Sequence, residues 1–354
     1  MLRSGRVGAP RIKLHPRTPW ELRLFEQLPL PAFWAGVAIG AVLFAVFLAY
    51  TARFGAAPGQ LGGLAFQGSL AEAIQDLFLG FTLAISAASV RGALRDFEAL
   101  RPALALAAPD LEALRREILT YRPVALQIMG IVFGLFSALA TVLTPEMWAG
   151  GHFPGWNHAS VVWLGVRNFA NWWVVGRAML LELMLGHRFS RLGDHLASLD
   201  LLDRAPLAPF GRRALRNVSF WMLLAAFLSL SYFGKGWATR LMPLALVNLA
   251  GFGVAAFLLP LLGAHRRMRE RKRAELERVR TALRDARERA FAPEPTAGGR
   301  LADLLAYEGR IESVSEWPID TSTLLRLAFY LVLGLGSWVG AALVEWLVDA
   351  VLRR

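Results

Sequence analysis

Hydrophobic and polar positions along this chain come in long blocks, not in the alternation of a half-buried strand. Apolar windows close to the ~20 residues that cross a bilayer core of about 30 Å fall at 31–52, 124–144, 160–186, 218–234, 241–264 and 323–350. A seventh window, 70–91, has a clean apolar run only from Leu77 to Val90 and reaches spanning length by taking in Glu72, Gln75 and Asp76. The pattern predicts an all-α fold, a polytopic membrane helix bundle of about seven transmembrane helices.

The polar stretches carry helical periodicity of their own. Residues 110–121 place Leu111, Leu114 and Ile118 on one face behind Pro109, with Asp110 as the expected N-cap. Residues 187–203 read similarly, before the break at 206–209. From His265 to about Ala290 there is no helix breaker, and Leu276, Val279, Leu283, Ala286 and Ala290 form a short a/d-type seam, a coiled-coil feature. A break at 292–299 and a second amphipathic stretch (Leu301, Leu304, Leu305, Ile311, Val314) follow, so 265–316 reads as a helical hairpin. Pro260 is positioned to kink the window that leads into it. The chain divides into an arm at 1–30, a bundle at 31–264, the hairpin connection at 265–322 and a final span at 323–354.

Charge orients the bundle. The segments 1–30, 92–123, 187–217 and 265–322 hold most of the basic residues, whereas 54–69 and 145–158 contain no Lys or Arg. By the positive-inside rule the N-terminus is cytoplasmic and the C-terminus outside, provided 70–91 crosses. The net charge of +12 is therefore chiefly a topology signal. The chain is 55% hydrophobic and 19% charged, with mean hydropathy +0.42, which excludes a disordered chain and an ordinary cytosolic enzyme. Only three of the 39 basic residues are Lys; this Arg bias points to a GC-rich bacterial genome and, with the spans, to the cytoplasmic (inner) membrane. The absence of Cys excludes disulfides and thiolate chemistry. The apolar run after the basic arm is too long for a signal-peptide core and reads as a retained first span.

No phosphate-binding glycine loop, HExxH or GxSxG motif is present, and no catalytic, metal or cofactor site is expected. The informative residues are polar groups within apolar windows, because an unpaired charge in a bilayer costs several kcal/mol. The window 160–186 holds Arg167, Asn168, Asn171, Arg177 and Glu182, with Arg167 and Asn171 on one face. Asn248, Glu345 and Asp349 lie at comparable depth in later windows. The expected network pairs Arg167 with Glu345, with Asn171 and Asn248 completing it; the alternative is that Arg167 and Glu345 each reach to the nearest interface. The run Arg266, Arg267, Arg269, Arg271, Lys272 and Arg273 directly follows a span, so it reads as a contact for anionic lipid headgroups and not for nucleic acid. GxxxG motifs at 36–40, 130–134 and 336–340 predict close helix packing, within the chain or between copies.

The first functional reading is an oligomeric channel or transporter for an ion or small solute, with a homo-oligomer formed through the last cytoplasmic connection. Anionic cargo is favoured only where the buried arginines are left unneutralised. The alternative is a membrane-embedded scaffold or signalling protein that docks partners through its cytoplasmic helices. An enzyme acting within the membrane on lipid-like substrates ranks last, because no nucleophile or metal set accompanies the polar residues.

Overall fold

A computed structural model of the chain describes residues 17–54, 67–143, 155, 158–196, 200–203, 205–231, 238–290, 298–319, 322, 324–329 and 332. These residues are all-helical, apart from an isolated bridge between Leu104 and Leu196. The helices are α1 (Trp20–Gln27), α2 (Ala32–Arg53), α3 (Gln67–Leu100), α4 (Ala108–Leu119), α5 (Pro123–Leu143), α6 (Ala159–Asp194), α7 (Ala208–Ser231), α8 (Ala238–Leu258), α9 (Leu262–Ala290) and α10 (Gly298–Ser313).

Four described segments are long and apolar enough to cross a membrane: Ala32–Arg53, Leu70–Ala103, Ala108–Leu143 and Val247–Glu288. The segment containing 70–91 is thus among them despite its acidic end. The window 160–186 belongs to α6, whose charged and amide side chains lower its mean hydropathy, and the described part of the window 218–234 belongs to α7. Most of the window 323–350, with Glu345, Asp349 and the third GxxxG motif, lies outside the described residues.

Helix α3 is central. Its apolar stretch is 78% buried, against 22% for α2 and for the segment that contains α5. It packs on α2, α6 and α7, while α5 packs on α6 and α8 on α7. One core cluster joins Leu83, Ala87 and Val90 of α3 to Leu181, Leu185 and Phe189 of α6 and to Ala214 and Val218 of α7. A second joins Phe78 and Ile85 to Val175, Ala178, Trp221 and Leu224. Exposed apolar residues gather on the peripheral helices, including Val42 and Val46 on α2 and Ile128, Leu135 and Phe136 on α5. An apolar outer surface of this kind suits lipid, not water.

Glycines set the closest helix contacts. A Cβ on Gly36 would lie 3.0 Å from the Gly80 carbonyl oxygen, and one on Gly40 would lie 2.9 Å from the Leu77 Cα. A Cβ on Gly134 would meet the Phe169 ring at 2.8 Å. The first two GxxxG motifs are therefore spent on the α2–α3 and α5–α6 contacts inside the chain.

Local expectations are corrected at two places. The N-cap of α4 is Ala107, so Asp110 sits in the first turn, where its charge favours the helix dipole. Residues 187–194 form no separate helix, because α6 continues without a breaker to Asp194. Around Pro260 the chain narrows to a 3₁₀ turn, Leu259–Leu261, between α8 and α9. Helix α10 then folds back on α9: Arg280 reaches Glu308 and Glu312 at 2.8 Å each, Tyr307 donates to Glu275 at 3.2 Å, and His265 stacks on Trp317.

Candidate functional site

Helix α3 carries Glu72, Gln75, Asp76, Thr82, Ser86, Ser89 and Asp96 at spacings of about three, four and seven residues, which put them on one side of the helix. All seven are buried. Helix α6 answers with Arg167, Asn171 and Glu182, which share a face and are also buried. A polar stripe on an internal helix is costly unless it is paired, and most of this one is paired.

At one end, Glu72 forms an ion pair with Arg167 and accepts a hydrogen bond from Trp163 Nε1 at 3.3 Å. Arg167 Nη2 donates to Asn168 Oδ1 at 3.2 Å, and Asn168 Nδ2 donates to Thr141 Oγ1 of α5 at 2.7 Å. Asp76 lies in the electrostatic field of both Glu72 and Arg167. Two buried oxygens here have no hydrogen-bond partner among the described residues, Asp76 Oδ2 and Asn171 Oδ1.

At the other end, Glu182 accepts from the Ser89 hydroxyl and pairs with Arg213 of α7 at 3.4 Å. The Arg213 side chain is fully buried, and its guanidinium lies 4.4 Å from the centre of the Phe189 ring. One turn along α7, Arg216 meets Asp96 at 2.6 Å. Between the two ends the hydroxyls of Thr82 and Ser86 donate to carbonyls of their own helix, Phe78 and Thr82. Phe78, Val175, Ala178 and Trp221 form an apolar layer at this level.

Arg177 faces away from this seam. Its Nε donates to Glu21 of α1 at 2.7 Å, and its guanidinium lies 4.9 Å from the centre of the Trp173 ring. Helix α1 is amphipathic and buries Glu21, Leu22 and Phe25. Beside the Arg177 pair is a cavity of ≈ 70 Å³ lined in part by Arg17, Trp20, Tyr121 and Gln127.

Of the residues expected from sequence, Arg167, Asn168 and Asn171 come together, Glu182 joins the same seam further along, and Arg177 is in a separate pair. Asn248 is on an exposed face of α8. The partner expected for Arg167, Glu345, lies outside the described residues, as does Asp349; the ion pair seen for Arg167 is with Glu72. In the basic run, Arg266 pairs with Asp194 at 3.2 Å, and Lys272 Nζ donates to the Glu312 and Val314 carbonyls at 2.7 and 2.8 Å. Lys272 thus caps the end of α10, while Arg269 and Arg273 are exposed.

Sequence reasoning missed Glu21, Ser89, Asp96, Arg213 and Arg216, and treated Glu72 and Asp76 only as the cost of lengthening a span. The helical spacing of the α3 polar residues was the available signal. Comparison of the chain with protein-family models, with curated proteins and with solved structures finds no match.

Proposed function

We propose that this protein is an integral multipass protein of a bacterial cytoplasmic membrane, with its N-terminus inside, that carries a small solute or ion along the seam between α3, α6 and α7. The observation that supports this most directly is the polar stripe of α3. It faces other helices of the same chain, not the lipid-like periphery, and it carries charge well inside an apolar helix. A purely structural helix at this position is expected to be apolar on that face, since well-packed hydrophobic residues serve stability at least as well as buried ion pairs.

Each buried arginine of the seam has a carboxylate, Arg167 with Glu72 and Arg213 with Glu182. The condition for preferring anionic cargo, an unneutralised arginine, is therefore not met. The apolar layer around Phe78, Val175 and Trp221 corresponds in this reading to a closed path, so transport requires the helices to shift. The test is flux in proteoliposomes under imposed ion, pH and solute gradients. Flux is expected in the native protein and lost in Arg167→Met; a native preparation silent in every gradient overturns the reading.

A second reading, a membrane-embedded scaffold, is supported by the exposed polar surface of α9 and α10. In either reading the α9–α10 hairpin is the proposed contact between copies, and the basic run is the proposed contact with anionic headgroups. Crosslinking in native membranes between cysteines introduced at exposed Arg273 or Arg284 tests the first of these. A product of twice the chain mass supports it, and a chain that stays monomeric overturns it.

A further inference from the structure

The two ends of the seam differ in charge balance. At the Glu182 end, carboxylates and arginines are matched: Glu182 with Arg213, Asp96 with Arg216. At the Glu72 end two buried carboxylates, Glu72 and Asp76, face one buried arginine, Arg167. One negative charge is in excess in a region closed to water, and such a charge does not persist without a cation.

The helix register says where that cation sits. Glu72 meets Arg167 and, further along, Ser89 meets Glu182, so α3 and α6 run parallel, with a register that differs by two residues between the two ends. Asp76 lies one helical turn beyond Glu72, and Asn171 lies one turn beyond Arg167. Counted from the Glu72–Arg167 pair, the two fall at about the same level of the α3–α6 interface. They are also the two side chains there whose buried oxygens, Asp76 Oδ2 and Asn171 Oδ1, have no donor among the described residues. Asp76 is 3% exposed and Asn171 4%. What remains unmatched is the charge of the second carboxylate, and a hydrogen on Asp76 Oδ2 both neutralises it and gives Asn171 Oδ1 a donor.

Arg167 has two buried donors without a hydrogen-bond partner among the described residues, Nε and Nη1, but its single charge is already set against Glu72, and the other described elements bring no second cation to this level. From α2, Gly40 approaches the Asp76 carbonyl. Its described ionisable side chains, Tyr50 and Arg53, lie at its far end, where Tyr50 donates to the Ala159 carbonyl. The described part of α7 offers Ser229, whose hydroxyl is used on its own helix, and its arginines 212, 213 and 216 are at the opposite end.

We propose that Asp76 and Asn171, set beside the Glu72–Arg167 pair, form a binding site for one proton. The proton is taken from water as hydronium gives up H⁺ to the Asp76 carboxylate, leaving a neutral carboxyl that donates from Oδ2 to Asn171 Oδ1. This deepens the transport reading by naming a coupling ion, but its test reads equilibrium protonation and not flux. A protein that protonates Asp76 and moves nothing overturns transport and leaves the site standing.

The experiment is infrared difference spectroscopy of the full chain in lipid, stepped between acidic and alkaline buffer, following the carbonyl stretch of a neutral carboxylic acid. The native protein is expected to show such a band at neutral pH. Asp76→Asn removes it, Asn171→Leu shifts it to the position of a free carboxyl, and Glu308→Gln, in the exposed hairpin, leaves it unchanged. Glu72→Gln removes the excess charge without touching Asp76, so the band is expected only at lower pH; this variant decides the matter should Asp76→Asn fail to fold. No band in the native protein, or a band unchanged in both Asp76→Asn and Glu72→Gln, overturns the proposal. A native band abolished by sodium but not by choline chloride also overturns it, because the site is then one for a metal cation.

Discussion

Arg213 meets Glu182 with side chains 0% and 5% exposed, whereas Arg280 meets Glu308 and Glu312 with its own side chain 52% exposed. The residue types are the same, but their consequences are opposite. In the seam, water is excluded, so each charge depends on its partner, and removal of one leaves the other stranded in an apolar surrounding. In the hairpin, solvent and salt take over whatever a lost partner supplied. The chain thus keeps its specific chemistry where a mismatch is expensive and its adjustable charges where a mismatch costs little.

The comparison is broken most directly at Arg213. Arg213→Ala is expected to destabilise the protein by about 3–5 kcal/mol, the usual cost of orphaning one member of a buried pair, measured by thermal denaturation in detergent. The double variant Arg213→Met with Glu182→Gln is expected to recover much of that loss. An Arg213→Ala protein that melts with the native one removes the contrast altogether.

A smaller effect is expected where the two regions meet. A Cβ on Gly263 of α9 would fall on the Ser190 carbonyl of α6, and one on Gly193 would fall on the Ala264 backbone. Gly263→Val is expected to cost about 1–3 kcal/mol through forced separation of the two backbones. Cysteine crosslinks between α6 and α9 should slow in the same variant, and unchanged melting together with unchanged crosslinking contradicts the close crossing.

The smallest effects belong to the hairpin itself. Arg280→Ala should leave the melting temperature unchanged and only speed amide exchange in α10, with the difference vanishing at high salt. Tyr307 sharpens the same point by pH. Partial burial, then the charge of Glu275, pushes its phenol above the ordinary value. A raised phenol supports the fold fully below the unfolded value of about 10 and loses that support as pH rises through the higher folded value. Amide exchange in α10 should therefore quicken at strongly alkaline pH in the native protein, and by less in Tyr307→Phe.

What the sequence discloses follows the same division. The helical class and the apolar windows are legible because burial against lipid or protein needs only apolar residues in number. Pro260 and the GxxxG pairs at 36–40 and 130–134 are legible because backbone constraints belong to the residue itself. The partner of Arg167 is not, since the offset between α3 and α6 is set by packing of residues distant in sequence, and depth alone made Glu345 and Glu72 equally eligible. Helix α1 lies within what the charge pattern marks as a basic arm, although Glu21, Leu22 and Phe25 of 20–27 are spaced as a short amphipathic helix behind Pro19. Asn171 is legible as an amide on the Arg167 face, but its relation to Asp76 is hidden for the same reason as Glu72: it depends on the register of two helices across an interface.

The order in which the charged partners leave the ribosome has a consequence for membrane insertion. Glu21 and Glu72 are synthesised long before α6 emerges with Arg177 and Arg167, so both arginines arrive to find their counter-charges already made. Glu182 does not, because Arg213 follows it, on α7. The expected course is two stages, with α6 meeting earlier helices at its two arginines and at Ser89, and gaining the counter-charge of Glu182 only when α7 arrives. A truncated nascent chain that stops before residue 213 should leave α6 exposed to quality-control proteolysis at that point in its biogenesis.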